Sequence, residues 1–283
     1  MRALVLGLAR SGQAAALALA RRGEQVVGVD RSADVDAGRL EASGVEVRLG
    51  FDEASLLEGL DVLIKSPGVP AEAPLVTAAR ERGVPVWSEV ELGGRLLPNP
   101  ILGVTGTNGK TTTSELLGAM LGAPVAGNVG RALTELDGEV EENGWIVCEL
   151  SSFQLEDIDR FRPRIAVLLN LEADHLDRHG TFEAYRDAKL RVFENQSRED
   201  TAVVPRGFPQ AGAARRVEFS ADDQLPAEPR IPGRHNRENA AAATAAARAA
   251  GVSDQQIAEA LRSFPGVPHR LEEIGEVGGV RFV

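Results

Sequence analysis

Short apolar runs alternate with longer amphipathic stretches along most of this chain. "RALVL" at 2–6 is apolar but too short for a helix, whereas "SGQAAALALARRG" is a longer apolar-rich stretch that Gly23 ends. A strand followed by a helix is predicted. "QVVGVD" gives a second strand ending in Asp30, and the runs "VEVRL", "DVLIKS" and "VPVWS" recur with helical stretches between them. That alternation predicts an open parallel sheet covered by helices, a Rossmann-like α/β domain. "GGRLLPNP" from Gly93 to Pro100 reads as a linker, and "ILGVT" opens a second series with strands expected near 101–105, 123–126, 145–149, 165–169 and 201–204. "SADDQLPAEPRIPGRHN" reads as loop and "ENAAAATAAARAAG" as a close-packed alanine helix. After Pro268, "HRLEEIGEVGGVRFV" reads as strand, Gly-Gly turn and strand. The expected division is therefore 1–92, 93–266 and 267–283, the last being the start of a third domain that is essentially absent, as if the chain were cut inside it.

Composition narrows the function classes. With 283 residues, 43% of them hydrophobic, the chain can bury two cores. A net charge of -11 argues against a nucleic-acid partner, since a phosphate backbone demands a basic surface. Cys148, the single cysteine, lies in the apolar run "WIVCEL"; it allows no disulfide within the chain and fits a reducing compartment, the cytoplasm. The N-terminus imitates a secretory leader, but Arg10 and Ser11 interrupt its apolar run and a second strand follows. No run approaches the ~18 apolar residues of a membrane span. Only Lys65, Lys110 and Lys189 are lysine among 31 basic residues, so arginine is the default cation and each retained lysine invites a chemical reason.

The strongest motif is "GVTGTNGKTT" at 103–112. The usual phosphate loop would place glycine where Val104 stands, yet the segment follows an apolar strand, ends in Gly109-Lys110-Thr111 and leads into the helix "TTTSELLGAMLG". Backbone N–H groups of Gly106, Thr107, Asn108, Gly109 and Thr112 would cradle phosphates at that helix start, Lys110 would reach the β and γ phosphates of ATP, and the Thr111 hydroxyl would hold Mg²⁺. Glu149 ends the strand "WIVCEL" at the edge where open α/β sheets bind ligands, suited to complete a magnesium shell. His175, amid Glu172, Asp174 and Asp177 beyond the strand "RIAVLLNL", joins it as a candidate ligand, whereas His179 reads as structural. Lys189 shares a helix face with Phe182, Tyr185 and Val192, so its ammonium points where a core residue should. Carbamylation by CO₂ would turn that amine into an anionic metal ligand; a salt bridge or a snorkelling side chain is the alternative. Asn236 and Asn239 lie on one face of the alanine helix, suited to a ligand's base or ribose, although Asn236 also fits an N-cap.

Taken in order, "GVTGTNGKTT", "CELSSFQLE", "NLEADHLDRHG" with Lys189, "GRHNRENAAAA" and "GVPHR" resemble the Mur ligase family of ATP-dependent amide ligases, and "SPGVP" at 66–70 with "CELSSFQLE" resembles its D-glutamate-adding branch. The resemblance covers essentially the whole chain. It implies a first domain that holds a uridine nucleotide rather than a dinucleotide, in keeping with "GLARSG", whose Gly7 and Gly12 lack the dinucleotide fingerprint. By the same matching Arg10, Ser11, Asp30, Arg31, Ser32 and Ser66 would contact the uridine-linked substrate. Asn128 would touch its sugar or diphosphate, and Ser151, Ser152 and Gln154 would line the cleft. Two magnesium ions would be held by Thr111, Glu149, His175 and carbamylated Lys189. Arg270 would approach the γ-phosphate, while His269 and Asn239 would position the nucleoside. The implied substrates are UDP-N-acetylmuramoyl-L-alanine, D-glutamate and ATP, joined through an acyl phosphate in peptidoglycan precursor synthesis by a cytoplasmic monomer with no membrane partner. A family member using a different amino acid, a nicotinamide dehydrogenase and a non-catalytic nucleotide-binding fragment are the alternatives.

Overall fold

The computed structural model describes residues 1–50, 54–209, 212–267, 275–277 and 280–282. In the first half, β1 (Arg2–Leu6), α1 (Arg10–Arg21), β2 (Gln25–Asp30), α2 (Gly38–Ala42), β3 (Glu46–Leu49), β4 (Val62–Lys65), α3 (Pro74–Glu81), β5 (Val86–Ser88) and α4 (Glu89–Leu96) follow one another. The strands form a parallel sheet in the order β3-β2-β1-β4-β5. Side chains along β1 alternate between two cores: Ala3 and Val5 pack with α1, Leu4 and Leu6 with α3. Burial on both faces is what the unbroken apolar runs require.

The second half comprises β6 (Ile101–Thr105), α5 (Lys110–Leu121), β7 (Val125–Gly127), β8 (Ile146–Glu149), α6 (Ser152–Leu155), β9 (Ile165–Leu168), α7 (Leu176–His179), α8 (Phe182–Leu190), β10 (Thr201–Pro205), β11 (Arg215–Phe219), α9 (Arg234–Ala249) and α10 (Asp254–Ser263). Its six-stranded sheet is also parallel, ordered β11-β10-β9-β6-β8-β7. Buried alanines of α9 (Ala240, Ala243 and Ala247) bring that helix against α5, as the alanine run predicts. Cys148 is fully buried, and burial pushes its thiol well up, with Glu89 and Glu149 adding to the effect. β12 (Gly275–Val277) and β13 (Val280–Phe282) pair antiparallel, matching the expected strand pair.

Two expectations are corrected. Edge strand β11 is absent from the sequence reading, and Gly93–Leu96 of the expected linker is helical, leaving only 97–100 to connect the sheets. Two adjacent glycines suggest a break because each costs a helix about 1 kcal/mol relative to alanine. Here they serve contact: a β-carbon at Gly93 or Gly94 would come within 2.7 Å of Leu133 or Phe161, side chains of the second half. Leu92, on the same helix, packs into the first-half core. The Glu91 carboxylate, fully buried, accepts from the backbone N–H groups of Asp159 (2.8 Å), Arg160 (3.0 Å) and Phe161 (2.7 Å). Charge-assisted bonds of this kind offset its desolvation, so α4 rivets the two sheets together.

Candidate active site

Register places the carboxyl ends of β1, β2 and β4 side by side, since Leu6 pairs with both Val29 and Lys65. The chain leaves them as the turn after Gly7, as Asp30-Arg31 and as the Ser66–Pro70 turn. A cavity of about 620 Å³ opens there, lined from the first half by Arg10, Ser11, Asp30, Arg31, Ser66 and the rest of that turn, and from the second by Asn128 and Gln154. Seven residues expected to hold a uridine-linked substrate thus meet in one space. Asp30 is held by the backbone: its carboxylate accepts from Leu8 N–H (2.6 Å) and Ser32 N–H (2.8 Å), which fixes the turn around Ser32. Ser32, Ser151 and Ser152 do not line the cavity. Ser151 instead caps α6, accepting from Gln154 N–H while its own N–H donates to Gln154 Oε1 (2.9 Å).

In the second sheet Val104 pairs with Glu149 and Thr105 with Leu168, so β6, β8 and β9 also end together. The phosphate-loop motif spans β6 to α5. Gly109, at φ +83°, starts the helix, and a β-carbon there would run into the Asn239 amide of α9. That juxtaposition brings Asn239 to the loop. Asn236 is not the N-cap, because α9 starts after Gly233; its amide donates to Pro232 O (2.8 Å), and it shares a small recess with Thr112. The Lys110 ammonium donates to Gly106 O (3.0 Å) and Thr107 O (2.9 Å). Asn170 and Glu172 pin the loop from the end of β9: Asn108 N–H donates to Asn170 Oδ1 (2.8 Å) and Asn108 Nδ2 to Glu172 Oε2 (3.1 Å). Thr111, half-buried, opens α5 beside Lys110.

Lys189 is buried at 2% exposure, and its ammonium donates to Gly106 O (2.9 Å) while standing over the Tyr185 ring. Burial first, then the Lys110 charge, lowers its pKa to about 7 against the opposing pull of Asp174 and Glu149. Tyr185, whose hydroxyl lies 2.9 Å from Thr107 Oγ1, joins α8 to the phosphate loop. Glu149 is buried at 1%; Oε1 accepts from Asn128 Nδ2 (2.9 Å), and Oε2 has no hydrogen-bond partner. An orphaned carboxylate oxygen and a buried amine of depressed basicity fit a cation held in this corner. Among the described residues, no three His, Cys, Asp or Glu side chains cluster as a ready metal cage.

His175 begins α7 in the left-handed region at φ 50°, half-exposed, with Nε2 3.5 Å from Asp174 Oδ2. His179, read as structural, is the better-connected ring. It stacks on Phe153, and its Nε2 lies 2.9 Å from Ser152 Oγ and its Nδ1 3.0 Å from Glu156 Oε1. Burial, then His175 and Lys189, keep its pKa below the ordinary histidine value. A neutral ring donating from Nδ1 to Glu156 and accepting from Ser152 satisfies both contacts. The segment "HLDRH", with only three residues between the two rings, is the sequence signal that keeps His179 near His175, and both rings pack on Phe153. His269 and Arg270 lie outside the described residues.

A loop with the phosphate-loop motif at the end of one parallel sheet, joined through the Asn128–Glu149 contact to a cavity at the end of another, is suited to a nucleotide-dependent ligase or kinase. Residues 104–218 match the Mur ligase middle domain and residues 1–88 the Mur ligase MurD-like N-terminal domain. The chain is 42% identical to UDP-N-acetylmuramoylalanine--D-glutamate ligase of Geobacillus kaustophilus, over 99% of this chain and 70% of that protein. It is 43% identical to the enzyme of the same name from Anaeromyxobacter dehalogenans, over 100% of this chain and 71% of the other. The crystal structure of UDP-N-acetylmuramate:L-alanyl-gamma-D-glutamyl-meso-diaminopimelate ligase from Neisseria meningitides aligns with a TM-score of 0.63 at 25% identity, covering 94% of this chain and 98% of that one. The chain belongs to the Mur ligase family.

Proposed function

We propose that this chain carries the nucleotide-sugar and ATP sites of an ATP-dependent ligase that joins D-glutamate to UDP-N-acetylmuramoyl-L-alanine in peptidoglycan precursor synthesis. The observation that carries this reading is the Asn128–Glu149 hydrogen bond (2.9 Å). Asn128 lines the first-half cavity, while Glu149 ends the strand beside the phosphate loop. One contact thus joins the space for a uridine-linked carboxylate to the place where a γ-phosphate would lie.

The reaction begins with the substrate's alanyl carboxylate attacking that phosphate, giving an acyl phosphate and ADP. The amine of D-glutamate then attacks the acyl carbon, loses a proton and displaces phosphate. Anions crowd together in both steps, so the task of the protein is positioning and charge neutralisation. Lys110 and the loop N–H groups bind and orient the phosphates. Asn128 and Gln154 hold the sugar end, and Asn239 abuts the loop near the nucleoside. Thr111, Glu149, His175 and carbamylated Lys189 would hold two Mg²⁺ ions, which supply positive charge to the phosphate oxygens when bound. Carbamylation requires the neutral amine. A pKa of about 7 supplies it at neutral pH, and the carbamate would replace a buried cation by an anion able to face metal.

We assign the protein to the cytoplasm as a monomer. No helix among the described residues is long and apolar enough to cross a membrane. Calorimetric titration with Mg·ATP and with UDP-N-acetylmuramoyl-L-alanine tests the two sites. Both should bind, and binding of neither, or of a nicotinamide dinucleotide alone, refutes the reading. Phosphate release supported by another amino acid and not by D-glutamate would overturn the amino-acid assignment.

A further inference from the structure

Lys65 is one of only three lysines in the chain and takes no part in the chemistry above. Its side chain is fully buried at the end of β4. The ammonium donates to Val69 O (3.1 Å) and stands 2.9 Å from Asp157 Oδ2, whose side chain is 3% exposed. Asp157 belongs to the second half, two residues beyond α6, and Arg80 of α3 donates to its other oxygen (2.8 Å). The Asp157 carbonyl also accepts from Ser88 N–H (2.8 Å).

A buried ammonium and carboxylate are expensive to desolvate, and apolar pairs commonly stabilise such positions as well or better. The ion pair therefore asks for a role besides stability, and its position supplies one. Val69 belongs to the Ser66–Pro70 turn, which lines the nucleotide-sugar cavity from the first half, and Gln154, on the helix that precedes Asp157, lines it from the second.

We propose that Lys65, bonded to the Val69 carbonyl and paired with Asp157, is a positioning residue that sets the gap between the two walls of the nucleotide-sugar cavity. This rests on the ligase reading and deepens it: Lys65 touches no substrate, but it presents the Ser66–Pro70 turn and Gln154 at a fixed separation, sparing the ligand the ordering of one wall on binding.

Lys65→Met keeps the stem and removes the ammonium. Affinity for UDP-N-acetylmuramoyl-L-alanine by calorimetry should fall about tenfold or more, the effect of leaving a binding wall to be ordered by its ligand. Affinity for Mg·ATP should stay within about twofold, because Lys65 stands on the first sheet and the phosphate loop on the second, and distant sites respond independently. The double variant Lys65→Met/Asp157→Leu separates positioning from stability. Removing both charges relieves the buried carboxylate oxygen that the single variant leaves without its ammonium, so the melting temperature should recover while the weak nucleotide-sugar affinity persists. Recovery of affinity together with stability would overturn the proposal, and should the single variant fail to fold, the double variant decides alone. If the wild-type chain binds no nucleotide sugar, the ligase reading is refuted and this role falls with it. Wild-type binding left intact in both variants overturns this role only.

Discussion

Lys189 offers the sharpest test of the site's electrostatics. Burial and Lys110 move its pKa from the ordinary 10.5 to about 7. At about 1.4 kcal/mol per pH unit this corresponds to roughly 5 kcal/mol of destabilisation by the buried ammonium whenever both folded and unfolded chains carry the proton. The sign follows from proton counting. Between about pH 7 and pH 10.5 the unfolded chain keeps a proton that the folded chain has lost, so folding stability rises with pH across that window. Lys189→Met removes the titrating group and also the donor to Gly106 O. That loss costs about 1–3 kcal/mol and is independent of pH. The wild-type protein should therefore gain about 2–3 kcal/mol relative to the variant between about pH 6 and pH 9. Urea denaturation in CO₂-free buffer measures the difference at each pH. A difference constant to within about 0.5 kcal/mol over that range would refute the depressed pKa, whatever its absolute size. Repeating the titration with ¹³C-labelled bicarbonate tests the carbamate separately, since a carbamate resonance present in wild type and missing from the variant is expected.

Three further outcomes are expected. Lys110→Ala should abolish Mg·ATP binding while leaving nucleotide-sugar binding nearly intact, because the sites stand on different sheets; equal loss of both by calorimetry would contradict that separation. Gly109→Ala forces a β-carbon into the Asn239 amide at a left-handed φ; a cost of about 1–2 kcal/mol from the backbone alone should appear in thermal unfolding, with weaker ATP binding, and an unchanged melting curve would argue against the close approach. Glu89→Gln should leave the fold intact and raise stability near neutral pH, since burial lifts the Glu89 pKa and the charged form is disfavoured in the folded chain; a lower melting temperature for the glutamine variant at neutral pH would reverse that reasoning.

The centres of both sheets are legible in the sequence because β1, β4, β6, β8 and β9 are buried on two faces and read as unbroken apolar runs. β11 escapes for the opposite reason. Its Arg215, Arg216 and Glu218 belong to an edge strand, where polar side chains discourage pairing with other chains and erase the apolar signal. Lys110, Glu149 and Lys189 are legible as well, since a scarce lysine and an acid ending an apolar strand are local facts. Links between distant residues are not local: Lys65 to Asp157, Asn128 to Glu149 and Glu156 to His179 to Ser152 emerge only once the strands are ordered. The glycines of α4 mislead because their propensity is visible in the sequence while Leu133 and Phe161, which need the space, lie far along the chain.

Cys148 has a practical consequence. As the chain's single thiol, held inside the second sheet with its pKa well raised, it offers almost no thiolate to alkylating reagents. The folded chain should therefore be in effect silent to maleimide dyes. One cysteine introduced on the exposed surface of each half would then carry a donor or an acceptor fluorophore without prior removal of a natural thiol. Energy transfer between them would report, one molecule at a time, whether the two halves keep a fixed distance when nucleotides arrive.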